Sequence, residues 1–154
     1  MRVPFEPHAI LPNLIVGPAP SAMEHFQDLR ARGVQAILTL QPLDEAARGG
    51  LLPEVVLRLT ASLGMALERV PIADLDPEAL RSALPSAVRR LDALLESGRT
   101  VYLHCAIGWS RSPTVAACWI AWKRGMDAAA ACRLVRQARP SNPDLVAIQS
   151  FLAR

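Results

Sequence analysis

The sequence has 154 residues, of which 51% are hydrophobic and 20% are charged. This length and composition are typical of one compact domain with a single hydrophobic core, and they exclude a disordered chain. The net charge of +3 arises from 17 basic residues, all but one of them arginine, against 14 acidic ones. Because no long run of one sign occurs, no nucleic-acid-binding stripe is predicted.

The first eight residues lack the apolar stretch of a secretory signal, and no later apolar run is long enough to span a membrane. The three cysteines, Cys105, Cys118 and Cys132, are an odd number at no metal-ligand spacing. That pattern argues against a disulfide framework or a zinc site. We therefore expect a soluble, cytoplasmic monomer with reduced thiols, and neither a membrane nor a nucleic acid as its partner.

Short apolar runs alternate with helical patterns along the chain, and prolines and glycines separate them. This alternation predicts a single α/β domain with a central, mostly parallel sheet of about five strands flanked by helices. The predicted strands are 13–17, 34–40, 67–70 and 100–104. The predicted helices are 21–32 capped by Ser21, 53–63, 76–97, 112–124, 127–138, and a last one opened by Asn142-Pro143.

The predicted strand 100–104 leads directly into the sequence His-Cys-Ala-Ile-Gly-Trp-Ser-Arg-Ser, residues 104–112, after which a helix begins. A loop between a strand and a helix N-terminus points successive N–H groups inward, where the helix dipole also favours negative charge. The sequence therefore predicts a phosphate-binding loop formed by Ala106, Ile107, Gly108, Trp109, Ser110 and Arg111.

Two side chains in this loop carry the predicted chemistry. The field that favours phosphate also favours a thiolate, so we expect Cys105 to be ionised at neutral pH and to attack phosphorus in line. Arg111 offers a planar fork that can bind two phosphate oxygens and stabilise the transition state. Gly108 lets the backbone approach the phosphate or adopt a positive φ.

The pattern His-Cys-x5-Arg-Ser resembles the signature of the dual-specificity branch of the protein tyrosine phosphatase superfamily. In that family the cysteine forms a phosphocysteine, which water then hydrolyses, and no metal or other cofactor is used. The resemblance implies that Cys105 is the nucleophile and that Arg111 binds the phosphate. It also implies that Ser112 stabilises the departing thiolate and that His104 supports the geometry of the loop.

The family also uses an aspartic acid, roughly thirty residues before the cysteine, as general acid and base. Asp74 and Asp76 both lie at about that distance from Cys105. Asp76 is already explained as the N-cap of a helix whose first residue is Pro77. We therefore prefer Asp74 and keep Asp76 as the alternative.

The resemblance extends over nearly the whole chain and is closest to the catalytic domain of plant glucan phosphatases. The similarity to glucan phosphatases lies in residues 14–41 and the sequence Asp74-Leu75-Asp76, whereas the pair Arg139-Pro140 resembles atypical dual-specificity phosphatases in general. The loop departs from the glucan phosphatase pattern at Ile107 and Ser110. Aromatic residues make up only 5% of the chain, which is poor material for a sugar-stacking channel. A glucan substrate is therefore kept only as an alternative.

We predict a phosphomonoester hydrolase that acts on a phosphotyrosine, phosphoserine or phosphothreonine protein or on a small phosphate ester. The alternatives are a glucan phosphatase and an inactive module that only binds a phosphorylated partner. Trp109 is interpreted either as a stacking surface for an aryl or sugar group or as packing against a neighbouring loop. Arg133, Arg136 and Arg139 are interpreted as a solvated helix face, with Arg139 next to a loop that could border the site.

Overall fold

The computed structural model describes residues 3–154, which contain five strands. They are β1 (His8–Leu11), β2 (Leu14–Gly17), β3 (Ala36–Thr39), β4 (Ala66–Arg69) and β5 (Val101–His104). These strands form one sheet in the order β1-β2-β5-β3-β4. β1 pairs antiparallel with β2, whereas the other neighbouring strands are parallel. The predicted α/β class with a mostly parallel sheet of about five strands is confirmed.

Seven helices accompany the sheet in the described part of the chain. They are α1 (Met23–Ala31), α2 (Leu43–Arg48), α3 (Pro53–Ser62), α4 (Pro77–Glu96), α5 (Arg111–Arg124), α6 (Ala128–Ala138) and α7 (Leu145–Leu152). Three of them begin at an aspartate whose side chain accepts a backbone N–H of the first turn: Asp76 for α4, Asp127 for α6 and Asp144 for α7. Among these helices, none combines the length and the apolar character needed to cross a membrane.

The central strand β5 separates two apolar clusters, because successive side chains of a strand point to opposite faces. Val101 and Leu103 belong to the larger cluster, which is built mainly with α4, α5, α6 and α7. Tyr102 belongs to the smaller cluster with Phe26 and Leu29 of α1. Both faces of β5 are therefore covered. The carboxyl end of β5 lies at the end of the sheet where open α/β folds bind their ligands.

The structure corrects two predicted helix boundaries. α1 begins at Met23 after Ala22, with no side-chain cap, so the prediction that Ser21 caps it is wrong. The backbone N–H of Ser21 instead donates to His25 Nδ1 at 3.0 Å. α7 begins after Asp144 rather than at Asn142-Pro143. The sequence also gave no indication of β1 or α2, which are only four and six residues long.

Candidate active site

The loop of residues 105–110 joins β5 to α5 at the carboxyl ends of the three neighbouring parallel strands. Cys105 follows the last residue of β5 and is 2% exposed. Arg111 is the first residue of α5. A four-residue central strand and the start of a buried helix therefore fix the two ends of the predicted phosphate-binding loop.

The backbone carbonyls of this loop all point away from its centre and are bound from outside. The donors are Ala19 N to Ala106 O at 2.8 Å, Arg139 Nη2 to Ile107 O at 2.9 Å, Arg139 Nε to Gly108 O at 2.8 Å, Asn142 N to Trp109 O at 2.7 Å, and Thr114 N to Ser110 O at 2.8 Å. Because each peptide unit is planar, an outward carbonyl turns the N–H of the next residue inward.

The inward N–H groups have no competing backbone acceptor. Across residues 3–154, none of the backbone N–H groups of 106–110 donates to a backbone carbonyl. Successive N–H groups that face the inner side of a loop and lack a backbone acceptor form a concavity that favours an anion. The geometry is that of a nest able to hold a tetrahedral oxyanion over Cys105.

Gly108 is required for this loop geometry. Its φ is +71°, in the left-handed region that residues with side chains rarely adopt. A Cβ atom at this position would lie 2.5 Å from Arg139 Nη2 and 2.7 Å from the carbonyl carbon of Gly17. The close approach of the loop to Arg139 and to the end of β2 therefore leaves room only for glycine.

Ser112 lies directly beside the cysteine sulfur. The distance from Cys105 Sγ to Ser112 Oγ is 3.2 Å, and both residues are buried. Ser112 occupies the first turn of α5, which fixes its hydroxyl beneath the loop. A hydroxyl at this distance can donate a hydrogen bond to a thiolate and stabilise it.

His104 supports the loop from the strand side. Its Nδ1 lies 2.9 Å from the Cys105 carbonyl oxygen, and since a carbonyl only accepts, Nδ1 carries the hydrogen. Burial lowers the pKa of His104 to about 4, against a smaller opposing effect of that hydrogen bond. The imidazole is therefore neutral near pH 7 and holds one more loop carbonyl outward.

Arg111 is 4% exposed and already has partners. Its Nη1 and Nη2 donate to the two carboxylate oxygens of Glu45 at 2.9 and 2.8 Å, and Nη1 also donates to Ile72 O at 2.8 Å. Its Nε lies 3.3 Å from Asp74 Oδ1. Sequence reasoning missed Glu45, and no local signal pointed to it, because the short helix α2 that carries it was not predicted either.

The pair of Arg111 and Glu45 remains charged. Burial acts to raise the pKa of Glu45, but hydrogen bonds from Arg111 and Gln41 outweigh it and hold that pKa below its ordinary value. Burial likewise acts to lower the pKa of Arg111, yet the hydrogen bond to Glu45 leaves it raised. A full positive charge is therefore held in a fixed orientation at the loop.

The two candidate acids occupy different environments. Asp74 has a half-exposed side chain at the mouth of the loop, close to Arg111, and its Oδ1 accepts the N–H of Leu75 at 3.1 Å. Asp76 accepts the N–H of Ala79 at 3.0 Å as the cap of α4. The structure thus gives Asp76 the capping contact that the sequence predicts and places Asp74 against the loop arginine.

For Arg139 the sequence left two interpretations, a solvated helix face and a position next to a loop that could border the site. It is 7% exposed and donates to two loop carbonyls, so the first interpretation is wrong and Arg139 does border the site. Arg133 and Arg136 of α6 are exposed as expected. Trp109 and Ile107 project from the loop with about half of their surface exposed.

Comparison with known proteins agrees with this geometry. Residues 54–149 match the family described as "Dual specificity phosphatase, catalytic domain". Laforin of Mus musculus is 30% identical over an alignment of 129 residues, which covers 77% of this chain and 39% of laforin. "Phosphoglucan phosphatase DSP4, amyloplastic" of Castanea sativa is 31% identical over 146 residues, 94% of this chain and 39% of that protein.

A solved structure is similar over almost the full length. The human tyrosine phosphatase-like serine/threonine/tyrosine-interacting protein superposes with a TM-score of 0.76 at 25% identity, covering 96% of this chain and 95% of the other. This chain spans about two fifths of the length of the two curated relatives. The predicted relationship is confirmed: the chain belongs to the dual-specificity phosphatase catalytic domain family of cysteine-dependent phosphatases.

Proposed function

We propose that this chain hydrolyses phosphate monoesters through a phosphocysteine formed on Cys105. The observation that carries the proposal is the arrangement of the loop. Its carbonyls are bound from outside, its N–H groups of residues 106–110 converge, and the Cys105 sulfur lies at the base with Arg111 at the rim. Such a nest stabilises the charge that develops on the phosphoryl oxygens during transfer.

In the first step the Cys105 thiolate attacks phosphorus, and a sulfur–phosphorus bond forms as the bond to the leaving oxygen breaks. The loop N–H groups and the guanidinium of Arg111 hold the three equatorial oxygens. Asp74, in its acid form, gives its proton to the leaving oxygen, so the alcohol departs neutral. Its position beside Arg111 Nε supports this role.

In the second step the Asp74 carboxylate takes a proton from water, and the resulting oxygen attacks phosphorus. The sulfur–phosphorus bond breaks and inorganic phosphate is released. The departing sulfur leaves as a thiolate, to which Ser112 Oγ can donate from 3.2 Å. The enzyme therefore returns to its starting charge state with no external reductant or cofactor.

The experiment compares the hydrolysis of 4-nitrophenyl phosphate by wild type, Cys105→Ser and Cys118→Ser. Cys118 is a matched control because it is also a buried free cysteine, on α5 and away from the loop. We expect Cys105→Ser to lose at least about 10³-fold in kcat/KM. Cys118→Ser should stay within about threefold of wild type. Mass spectrometry after an acid quench should find phosphate on Cys105.

Retained activity in Cys105→Ser would show that the proposal is wrong. A second candidate is a module that binds phosphate without turnover; the human structural relative is named as an interacting protein. Tight binding of inorganic phosphate or vanadate, with no hydrolysis of any ester by wild type, would favour that candidate. Measuring both binding and hydrolysis on one preparation of wild type therefore distinguishes the two functions.

The substrate is proposed as a phosphorylated protein side chain or a small phosphate ester. The similarity to the Castanea sativa phosphoglucan phosphatase keeps a phosphorylated glucan as a further candidate. Trp109, which projects half-exposed from the loop, is a surface on which a sugar ring can stack. If a glucan is the substrate, Trp109→Leu should slow phosphate release from phosphorylated amylopectin and leave 4-nitrophenyl phosphate hydrolysis nearly unchanged.

A further inference from the structure

A cleft of about 290 Å³ opens beside the phosphate-binding loop, and Arg111 and Asp74 are among the residues that line it. The proposed function places Asp74 next to the leaving oxygen, and the present inference rests on that placement. Because Asp74 and Arg111 both line this cleft, it offers the group attached to that oxygen a path away from the loop. The chemistry of the cleft then selects the substrate.

Part of the lining of the cleft is apolar, and it comprises Ala73, Leu75, Pro77 and Leu80. Leu80 is buried, whereas Leu75 is 95% exposed next to Asp74. When a ligand covers a large apolar side chain that is otherwise exposed to solvent at the mouth of a site, the free energy of the complex falls. This part of the lining therefore favours a leaving group with an apolar body.

The rim of the cleft is acidic. Asp74, Asp76 and Asp144 line it together with a single guanidinium, that of Arg111. That guanidinium is already bound to Glu45 through both Nη atoms. A phosphate dianion in the loop adds further negative charge. With Asp74 in its acid form, the carboxylates of Asp76 and Asp144 still outnumber the one guanidinium that lines the cleft.

Asp144 is held rigidly at this rim. Its Oδ1 accepts the N–H of Ala147 at 3.0 Å as the cap of α7. Its backbone N–H donates to Thr114 Oγ1 at 2.8 Å, which ties it to the helix that begins at Arg111. The first contact holds the carboxylate and the second holds the backbone that carries it, so the charge stays beside the cleft and acts against an anionic leaving group.

We propose that the cleft selects phosphate monoesters whose leaving group is uncharged or cationic, with Asp144 as a specificity-determining residue. The substrate class is an apolar or aryl phosphate ester with no second phosphate or carboxylate near the ester oxygen. A basic group near that oxygen raises kcat/KM. Esters that carry a second anionic group beside the first, such as polyphosphorylated polyols, are rejected by charge.

The test uses three aryl phosphates: 4-(aminomethyl)phenyl, 4-(hydroxymethyl)phenyl and 4-(carboxymethyl)phenyl phosphate. A methylene separates the charged group from the ring, so the acidity of the leaving phenol changes little among them. Wild type should prefer the cationic over the anionic ester by about tenfold in kcat/KM. Asp144→Asn should reduce this ratio about threefold, because asparagine keeps the helix cap and removes the charge.

Asp127→Asn is the matched control, because Asp127 caps α6 in the same way and does not line the cleft. It changes the net charge equally and should leave the ratio unchanged. As a second measurement, the wild-type ratio should approach one near about 1 M salt, where charges are screened beyond about 3 Å. This readout does not depend on whether any variant folds.

The outcomes separate this inference from the proposed function. A ratio near one in wild type at low salt, or a ratio that Asp144→Asn and Asp127→Asn change equally, overturns the inference. Hydrolysis of the neutral ester that requires Cys105 would still support the proposed function in that case. Failure to hydrolyse any of the three esters overturns this inference, and it overturns the proposed function as well only if 4-nitrophenyl phosphate is not hydrolysed either.

Discussion

Two buried arginines lie on opposite sides of the same loop, and their partners differ in kind. Arg111, on the inner side, is bound to the carboxylates of Glu45 and Asp74. Arg139, on the outer side, donates to the carbonyls of Ile107, Gly108 and Glu6 and lies 3.0 Å from His8 Nδ1. Within residues 3–154, Arg139 makes no ion pair with a carboxylate.

This difference separates a group that can exchange its partner from one that cannot. A phosphate dianion can replace a carboxylate on Arg111, because both offer two oxygens to the same planar fork. The neutral acceptors around Arg139 carry no charge that an incoming anion could replace. Burial lowers the pKa of Arg139, and no ion pair offsets that effect. The inner arginine is thus equipped for binding and the outer one for holding the loop.

The sharpest way to test this contrast is Arg111→Lys, for which we expect the largest effect. An ammonium keeps the positive charge next to Glu45 but cannot hold two oxygens at once. We expect kcat/KM for 4-nitrophenyl phosphate to fall by about 10³-fold. The thermal unfolding midpoint should stay within about 4 °C of wild type. A small loss of activity would contradict the assignment of the inner arginine to phosphate.

Asp74→Asn tests the second inner group, and we expect the next largest effect. The loss in kcat should be about 10²-fold for an alkyl phosphate and clearly smaller for 4-nitrophenyl phosphate, because a good leaving group needs less protonation. Asp76→Asn is the matched control, since asparagine keeps the cap of α4. An equal effect of both substitutions would show that the choice of Asp74 over Asp76 is wrong.

Arg139→Lys tests the outer arginine. At Arg111 we expect a large loss of activity with little loss of stability, and at Arg139 we expect the reverse. A lysine cannot reach both loop carbonyls and the Glu6 carbonyl, so we expect the free energy of unfolding to fall by about 2–3 kcal/mol. The activity loss should be about tenfold and appear mainly in KM, because the nest loosens while its chemical groups remain. Denaturant unfolding and steady-state kinetics measure the two effects. A full loss of kcat with unchanged stability would contradict the holding role.

His104→Asn should have the smallest effect on activity and a specific effect on pH dependence. The pKa of His104 is lowered to about 4 by burial, whereas an unfolded histidine titrates near about 6.5. Protons therefore bind the unfolded chain first, and wild type loses stability as the pH falls from about 6.5 to about 4, by about 3 kcal/mol from this group. Above that range the contribution is fully present.

Asparagine does not titrate, and its amide can donate to the Cys105 carbonyl as Nδ1 does. The variant should therefore lose less stability than wild type between these two pH values, as measured by urea unfolding at each pH. Near pH 7 its activity should stay within about threefold of wild type. If the free energy of unfolding fell equally with pH in the two proteins, His104 would not be the cause of this pH dependence.

The sequence predicted the sheet core and most helices because local signals define them. β2, β3 and β5 are apolar and rich in β-branched residues, and the aspartates at 76 and 127 sit where helix caps are expected. Ser21 was misleading, since a side chain four residues later, His25, binds its backbone N–H and the helix begins beyond it. β1 is short, antiparallel and at the sheet edge, so it has little periodicity to detect.

The part of the site formed by residues adjacent in the sequence could be predicted. The part that depends on contacts between residues far apart in the sequence could not. The loop from Cys105 to Arg111 is a local strand–loop–helix pattern, and a family resemblance added Asp74. Glu45 is 66 residues from Arg111, and Arg139 is about thirty residues from the loop carbonyls it binds. Whether an arginine is buried depends on the acceptors that the fold brings to it, and no nearby residue of the sequence reveals them.

The outward carbonyls of the loop leave the side chains at its mouth free to change. In the proposed mechanism backbone N–H groups bind the phosphate, and donors outside the loop fix its carbonyls, so neither task uses the side chains of Ile107 or Trp109. Both are about half exposed. Substitution there can alter which molecules approach the nucleophile while the machinery for cleaving the ester stays intact, and new specificities can arise at these two positions at little risk to catalysis.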